Sequence, residues 1–168
     1  MRVYLIGFMG SGKSHWGRLV SARMKLPFYD LDDVIVQKAG KSIAAIFAEL
    51  GEEQFRTLEK ELLEELTESN PDLVLSCGGG TPCFFGNIDY MKDHGKVIWL
   101  NTSLDTLVAR LVKEKNHRPL IRDIPDAELK AVINKKLHDR KLYYEQAHLS
   151  LPEETLSLEQ IQSAIEND

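Results

Sequence analysis

Cysteine is scarce: only Cys77 and Cys83 occur in 168 residues. Two thiols exclude a disulfide scaffold and fit a reduced intracellular setting, with both read as ordinary buried or half-buried small side chains. No apolar run approaches the roughly 20 residues that span a bilayer. The N-terminus offers only Val3-Tyr4-Leu5-Ile6 before Gly7 and Lys13, too little for a signal peptide, so a cytoplasmic protein is expected. Basic surplus is also missing: 21 Lys and Arg against 26 Asp and Glu leave −5. The acidic excess lies in the tail, where Glu153, Glu154, Glu159, Glu166 and Asp168 have no basic neighbour after Pro152. A neutral body with an acidic tail argues against a nucleic-acid or membrane binder. The histidines show no metal-ligand spacing, and there is no internal repeat or low-complexity linker. What remains, 43% hydrophobic and 28% charged, is the composition of one soluble globular domain rather than a disordered chain.

Strand and helix patterns alternate. Short apolar runs at 3–6, 28–31, 73–75, 97–100 and 149–151 read as strands, the central ones buried on both faces. Residues 13–25 read as a helix stopped by Pro27, with Trp16, Leu19, Val20 and Met24 on its apolar face. Asp32 or Asp33 is expected to cap a short helix ended by Gly40. Residues 42–50 and 52–69 read as two helices separated by Gly51, the second with Phe55, Leu58, Leu62, Leu63 and Leu66 on one face. Leu104–Val112 reads as helix, 113–125 as an exposed loop, Asp126 as the cap of a helix reaching about Gln146, and Ser157 as the cap of the last. This order implies a three-layer α/β/α fold around a five-stranded parallel sheet.

Gly7-Phe8-Met9-Gly10-Ser11-Gly12-Lys13-Ser14 fits G-x-x-x-x-G-K-[ST] at every fixed position, after a strand and before a helix. In such a loop backbone N–H groups of Gly10, Ser11 and Gly12 cradle phosphates, Lys13 reaches the β- and γ-phosphates, and the Ser14 hydroxyl holds Mg²⁺. A guanine-specific N-K-x-D element is absent, since Asn134-Lys135-Lys136-Leu137 fails at its last position. At this length a small-molecule kinase is the natural class. Asp30 and Asp32 end the second strand; at i and i+2 of an extended segment both carboxylates would face one cleft. Gly78-Gly79-Gly80 follows the third strand and permits close backbone approach to a ligand.

Taken in order, these residues resemble the shikimate kinase family. The resemblance spans nearly the whole chain. It covers the loop at 7–14, Asp30-x-Asp32, Ser42-Ile43-Ala44-Ala45-Ile46-Phe47 and Gly51-Glu52-Glu53-Gln54-Phe55-Arg56. It continues through Gly78-Gly79-Gly80, Arg118-Pro119-Leu120, and Arg140 with Tyr144. The phosphate loop alone is weakly specific; the ordered set is strongly so.

The resemblance implies ATP-dependent phosphorylation of the 3-hydroxyl of shikimate, on the route to chorismate and the aromatic amino acids, by a nucleoside monophosphate kinase-like P-loop domain. By position, Asp32 is similar to the aspartate that holds the acceptor hydroxyls and is the candidate base. Arg56 and Arg140 are similar to the arginines that hold the shikimate carboxylate, a role suited to guanidinium forks. Gly78, Gly79 and Gly80 resemble the backbone that lines the acceptor. Arg118 resembles the lid arginine that closes over ATP, and Asp30 the residue that holds Mg²⁺. Arg110 resembles an arginine near adenine. Phe47 and Phe55 resemble pocket walls. His15 stands where the family usually has threonine, and is counted with the ATP-binding residues. The resemblance further implies a mobile lid at about 113–125, an acceptor-binding helical segment at about 32–62, and a monomer. Two rivals stay open: a kinase for another small acceptor, gluconate before a nucleoside monophosphate, and a non-catalytic ATP-binding regulator.

Overall fold

The computed structural model describes residues 1–118 and 120–167. Pro119, within the Arg118-Pro119-Leu120 motif, and Asp168 of the acidic tail lie outside the described residues.

Five strands, β1 (Arg2–Ile6), β2 (Phe28–Asp30), β3 (Leu73–Ser76), β4 (Lys96–Asn101) and β5 (Leu149–Pro152), form one sheet. All pairs are parallel and the order is β2-β3-β1-β4-β5. The helices are α1 (Lys13–Met24), α2 (Leu31–Ala39), α3 (Ile43–Ser69), α4 (Asn87–His94), α5 (Leu104–Glu114), α6 (Asp126–Tyr144) and α7 (Leu158–Glu166).

Alternation along each strand divides the core in two. Val3 and Leu5 of β1, Val74 of β3, and Ile98 and Leu100 of β4 pack with Val20 of α1 and Ile161 of α7. Tyr4, Ile6, Leu73, Leu75, Val97 and Trp99 point to the other face, where α2 to α6 cover them. Each central strand is therefore buried on both sides, which is why it reads as an unbroken apolar run. From β1 the chain crosses to β2, and from β3 it crosses to β4, so the connections diverge and open a crevice above the carboxyl ends of β1 and β3. Register completes the placement: Ser76 pairs with Leu5 on one side and Asp30 on the other. The phosphate loop, the Asp30 segment and the glycine triplet thus leave the sheet side by side.

Several expectations are corrected. The cap of α2 is Asp30, whose Oδ1 accepts the Asp33 N–H at 3.2 Å, and not Asp32 or Asp33. Strand β2 ends at Asp30 because Leu31 turns into the core as the first residue of α2. Asp30 and Asp32 therefore do not share a strand face. One expectation holds here: residues 43–69, labelled together as α3, are two helical stretches that meet at Gly51, whose φ of 82° and ψ of 169° are non-helical. Helix α4 was not expected, because its apolar positions Ile88 and Met91 are too few to make a visible period. Helix α5 runs two residues further than expected, to Glu114. The segment that follows is not a wholly exposed loop: Lys115–His117 is a 3₁₀ turn, and Ile121 is buried in the core. Asp126 starts α6 without capping it; Pro125 is the cap residue, and Asp126 accepts from Lys115 Nζ at 2.9 Å. Leu19 is exposed rather than part of the apolar face of α1. Ser157 caps α7 as expected, with Gln160 completing a capping box.

Candidate active site

Two adjoining cavities open at the carboxyl edge of the sheet. The first, about 590 Å³, lies over the phosphate loop. Helix α1 starts at Lys13 with no side chain capping it, so its first N–H groups remain available to an anion. Lys13 is buried, and its Nζ donates to the carbonyls of Gly7 at 2.7 Å and Phe8 at 2.9 Å. Loss of hydration pulls its pKa down to about 8, with the carboxylate of Asp32 opposing. The Ser14 hydroxyl donates to Asp30 Oδ2 at 2.5 Å and lies 3.3 Å from the Ser76 hydroxyl. Gly10, Gly12 and His15 line this cavity, while Ser11 is fully buried and its N–H donates to the Phe8 carbonyl at 3.1 Å. His15 is exposed and stands edge-on to Trp16, ring centres 5.5 Å apart.

Arg110 enters from α5. Its Nη1 donates to the Gly10 carbonyl at 3.0 Å and pairs with Glu153 Oε2 at 2.9 Å. Glu153 is itself buried, and its Oε1 accepts from Trp16 Nε1 at 3.0 Å. One carboxylate thus ties α1, α5 and the chain after β5 to the phosphate loop. Nothing in sequence spacing marks it, because its partners lie at least 43 positions away.

The second cavity, about 320 Å³, has apolar walls in Ile43, Phe47 and Phe55. Its polar side holds Arg56, Arg140 and Asp32. Each residue of the glycine triplet admits one of these side chains. A Cβ on Gly80 would stand 2.6 Å from Arg56 Nη2, and one on Gly79 would stand 3.0 Å from Arg140 Nη1. A Cβ on Gly78 would lie 3.2 Å from Asp32 Oδ1 and 3.1 Å from Glu59 Oε2. Close approach, not backbone freedom, is what these glycines supply.

Arg56 is buried and is held by Glu59, whose Oε1 accepts from Nη1 at 2.9 Å. The other oxygen of Glu59 accepts from the Thr81 hydroxyl at 2.8 Å. The pairing of Arg56 with Glu59 on one helix is thus no solvated surface bridge; it orients the guanidinium. Asp32 is open to the cleft, yet its pKa is pushed up to about 6 by loss of hydration and by the charges of Asp30 and Glu59, with Lys13 opposing. Tyr144 donates to the Gly79 carbonyl at 2.5 Å and so fixes the triplet from below α6. Five residues line both cavities: Met9, Asp32, Gly78, Gly79 and Arg118.

A family model for shikimate kinase matches residues 9–167. The chain belongs to the shikimate kinase family. A curated shikimate kinase from Phocaeicola vulgatus is 40% identical over 167 residues, covering 99% of this chain and 95% of the relative. The crystal structure of shikimate kinase from Bacteroides thetaiotaomicron superposes with a TM-score of 0.94 at 34% identity, covering 99% of this chain and 98% of that one. Shikimate kinase from Acinetobacter baumannii in complex with shikimate gives a TM-score of 0.86 at 32% identity, covering 98% and 92%. The fold common to these shikimate kinases is the one described above.

Most residues singled out from sequence converge on the two cavities. Asp30 and Asp32 do so by a different route from the one expected. Asp30, at the strand end, turns to Ser14, while Asp32, in the first turn of α2, turns to Gly78. Arg118 lines both cavities, with its guanidinium on Glu114 Oε2 at 2.7 and 2.8 Å. Residues that sequence reasoning missed are Ser76, Glu59, Thr81 and Glu153. Glu59 had a signal, three positions after Arg56 on a helix; the others become neighbours only through sheet register and loop packing. Cys77 is buried beside Met91, and burial raises its thiol pKa far above the ordinary value, which leaves it an inert packing residue.

Proposed function

We propose that this protein transfers the γ-phosphoryl group of ATP to the 3-hydroxyl of shikimate, releasing ADP and shikimate 3-phosphate. The observation that carries the reading is the shared wall of the two cavities. A donor on the phosphate loop and an acceptor between Arg56, Arg140 and Gly78–Gly80 would meet at Asp32. Gly10 and Gly12 would offer backbone N–H groups to the phosphates, Ser11 would join them by turning its N–H from the Phe8 carbonyl, Lys13 would add its charge, and His15 and Arg110 contacts on the nucleotide side.

The acceptor carboxylate is assigned to Arg56 and Arg140. The hydroxyl oxygen attacks phosphorus as the bond to the bridging oxygen of ADP breaks, and the hydroxyl proton passes to Asp32. A carboxyl group with pKa about 6 is ionised at neutral pH and still basic enough to take it. Phosphoryl transfer otherwise needs positioning and charge stabilisation. Arg118, already at the junction, is assigned to the transferring phosphoryl group once residues 113–125 close as a lid and expel water. Residues 32–62 form the acceptor-binding helical segment.

Among the described residues no group of three or more His, Cys, Asp or Glu is disposed to hold a metal. The Ser14 hydroxyl on the Asp30 carboxylate is instead a pair of hard oxygen donors suited to Mg²⁺ that keeps water and phosphate oxygens as its other ligands. Mg²⁺ held there would neutralise charge on the phosphates. The protein is proposed to act as a monomer. No helix among the described residues is long and apolar enough to cross a membrane, and both cysteines are free, in keeping with a cytoplasmic enzyme.

The test is ADP release with shikimate, gluconate and no acceptor in parallel. ADP formation that depends on shikimate supports the reading; equal release with gluconate, or none with either, rejects it.

A further inference from the structure

The chain that leaves the glycine triplet is built more tightly than a link to α4 requires. The Thr81 N–H donates to the Gly78 carbonyl at 3.1 Å, and the Cys83 N–H to Gly80 at 2.9 Å. Asn87 Nδ2 donates to the Thr81 carbonyl at 3.0 Å, and the Asn87 N–H to the Phe84 carbonyl at 2.9 Å. Phe85 then adopts φ of 51°, a left-handed conformation unfavourable for an L-residue, although its own ring is exposed. Strain held by the surroundings of a residue that buries little of itself points to a neighbour whose placement matters.

That neighbour is Phe84. Its ring centre lies 4.2 Å from Arg56 Cζ, closer than the 5.1 Å of Phe55. Phe55 belongs to the core and to the cavity wall; Phe84 belongs to neither. Of the Arg56 donors, Nη1 is on Glu59, while the buried Nε has no hydrogen-bond partner and sits 3.7 Å from Glu52. Ionic contacts alone therefore leave the guanidinium free to tilt. An aromatic face over it removes that freedom and attracts the charge of a buried guanidinium.

We propose that Phe84 is a positioning residue for the acceptor carboxylate: its ring holds the Arg56 guanidinium in the plane from which it meets the ligand. This rests on the assignment of Arg56 to that carboxylate. Thr81, through Glu59, fixes the other side of the same group.

The experiment measures kcat and both KM values for Phe84→Leu, Phe84→Tyr, Arg56→Ala and the double variant Phe84→Leu/Arg56→Ala, with circular dichroism to confirm folding. Phe84→Leu is expected to raise the KM for shikimate about tenfold, about 1.4 kcal/mol. The KM for ATP and kcat at saturation stay within about twofold, and Phe84→Tyr, which keeps the ring, behaves as the parent. The double variant matches Arg56→Ala alone, because the ring acts through that side chain. An unchanged shikimate KM in Phe84→Leu, an equal rise in both KM values, or additive effects in the double variant overturns the proposal. If Phe84→Leu does not fold, Phe84→Met carries the same test. If Arg56→Ala leaves shikimate KM unchanged, the carboxylate assignment itself fails; if Arg56→Ala raises it and Phe84→Leu does not, the role of Phe84 fails alone.

Discussion

Gly80→Ala isolates the geometry of the acceptor site better than any change to a charged residue. Gly80 has φ of −97° and ψ of −6°, which alanine adopts without strain. The backbone therefore does not object, and a smaller unfolded ensemble would slightly favour the variant. The new methyl, however, would stand 2.6 Å from Arg56 Nη2, 2.8 Å from Nη1 and 2.9 Å from Cζ. To regain about 3.4 Å from the nearest atom, the guanidinium must retreat by about 0.8 Å. It cannot do so freely: Glu59 holds Nη1 at 2.9 Å, and the rings of Phe55 and Phe84 flank it.

A displacement near 1 Å costs a fork most of its directional bonding to a carboxylate. Hydrogen bonds to a charged group contribute about 1.5–3 kcal/mol, so shikimate binding should weaken roughly 10- to 150-fold. The assay is steady-state turnover with each substrate varied. The expected result is a large rise in shikimate KM, an ATP KM within about twofold of the parent, and a cooperative unfolding transition with the melting temperature lowered by a few degrees, since overpacking a buried site costs about 1–3 kcal/mol. Unaltered shikimate KM in a folded Gly80→Ala protein would refute the placement of the carboxylate at Arg56.

Four further outcomes follow from the site. The profile of kcat/KM against pH reports the free enzyme; it should fall below pH about 6 as Asp32 takes a proton and above pH about 8 as Lys13 loses one. Asp32→Asn should nearly abolish turnover. Because the folded state raises the pKa of Asp32, its contribution to stability is present below the ordinary carboxylate pKa and lost as pH rises through about 6, so the amide should raise the melting temperature at pH 8. Retention of activity in that variant would leave Asp32 no part in proton transfer. Arg118→Ala should lower kcat by about 10³ or more with little change in ATP KM, as expected for a group that acts on the transferring phosphoryl; equal kcat would count against it. Chelation of divalent cations with EDTA should stop turnover and added Mg²⁺ restore it, and Ser14→Ala should need more Mg²⁺ for half-maximal rate; indifference to Mg²⁺ would reject the Ser14–Asp30 assignment.

Much of the fold was legible because its signals are local. Apolar runs, the strand–loop–helix context of residues 7–14 and the Ser157 cap all express neighbours in sequence. Helix α4 was not legible, for its short apolar stripe is hidden between loops. The cap of α2 was misplaced for a related reason: whether Asp30 or Asp32 caps depends on where Leu31 enters the core, and burial is not a property of the tripeptide.

The same division runs through the site. Which residue types carry phosphate, metal and carboxylate chemistry was determined by the sequence itself, since a glycine-rich loop, a lysine, paired aspartates and separated arginines have fixed chemical capacities. What those residues do to one another was decided by tertiary structure. Parallel register sets Asp30 beside Ser76 and Ser76 beside Leu5, which puts three loops at one edge. Packing of α3 against the turn after the triplet converts Arg56 from a helix-surface charge into a buried guanidinium held by Glu59, Phe55 and Phe84. Glu153, from the acidic tail, is drawn under Arg110 and Trp16 at the phosphate loop. Apart from those of Arg56 with Phe55 and Glu59 along α3, these contacts join positions far apart in the chain, and only a packed core brings such positions together.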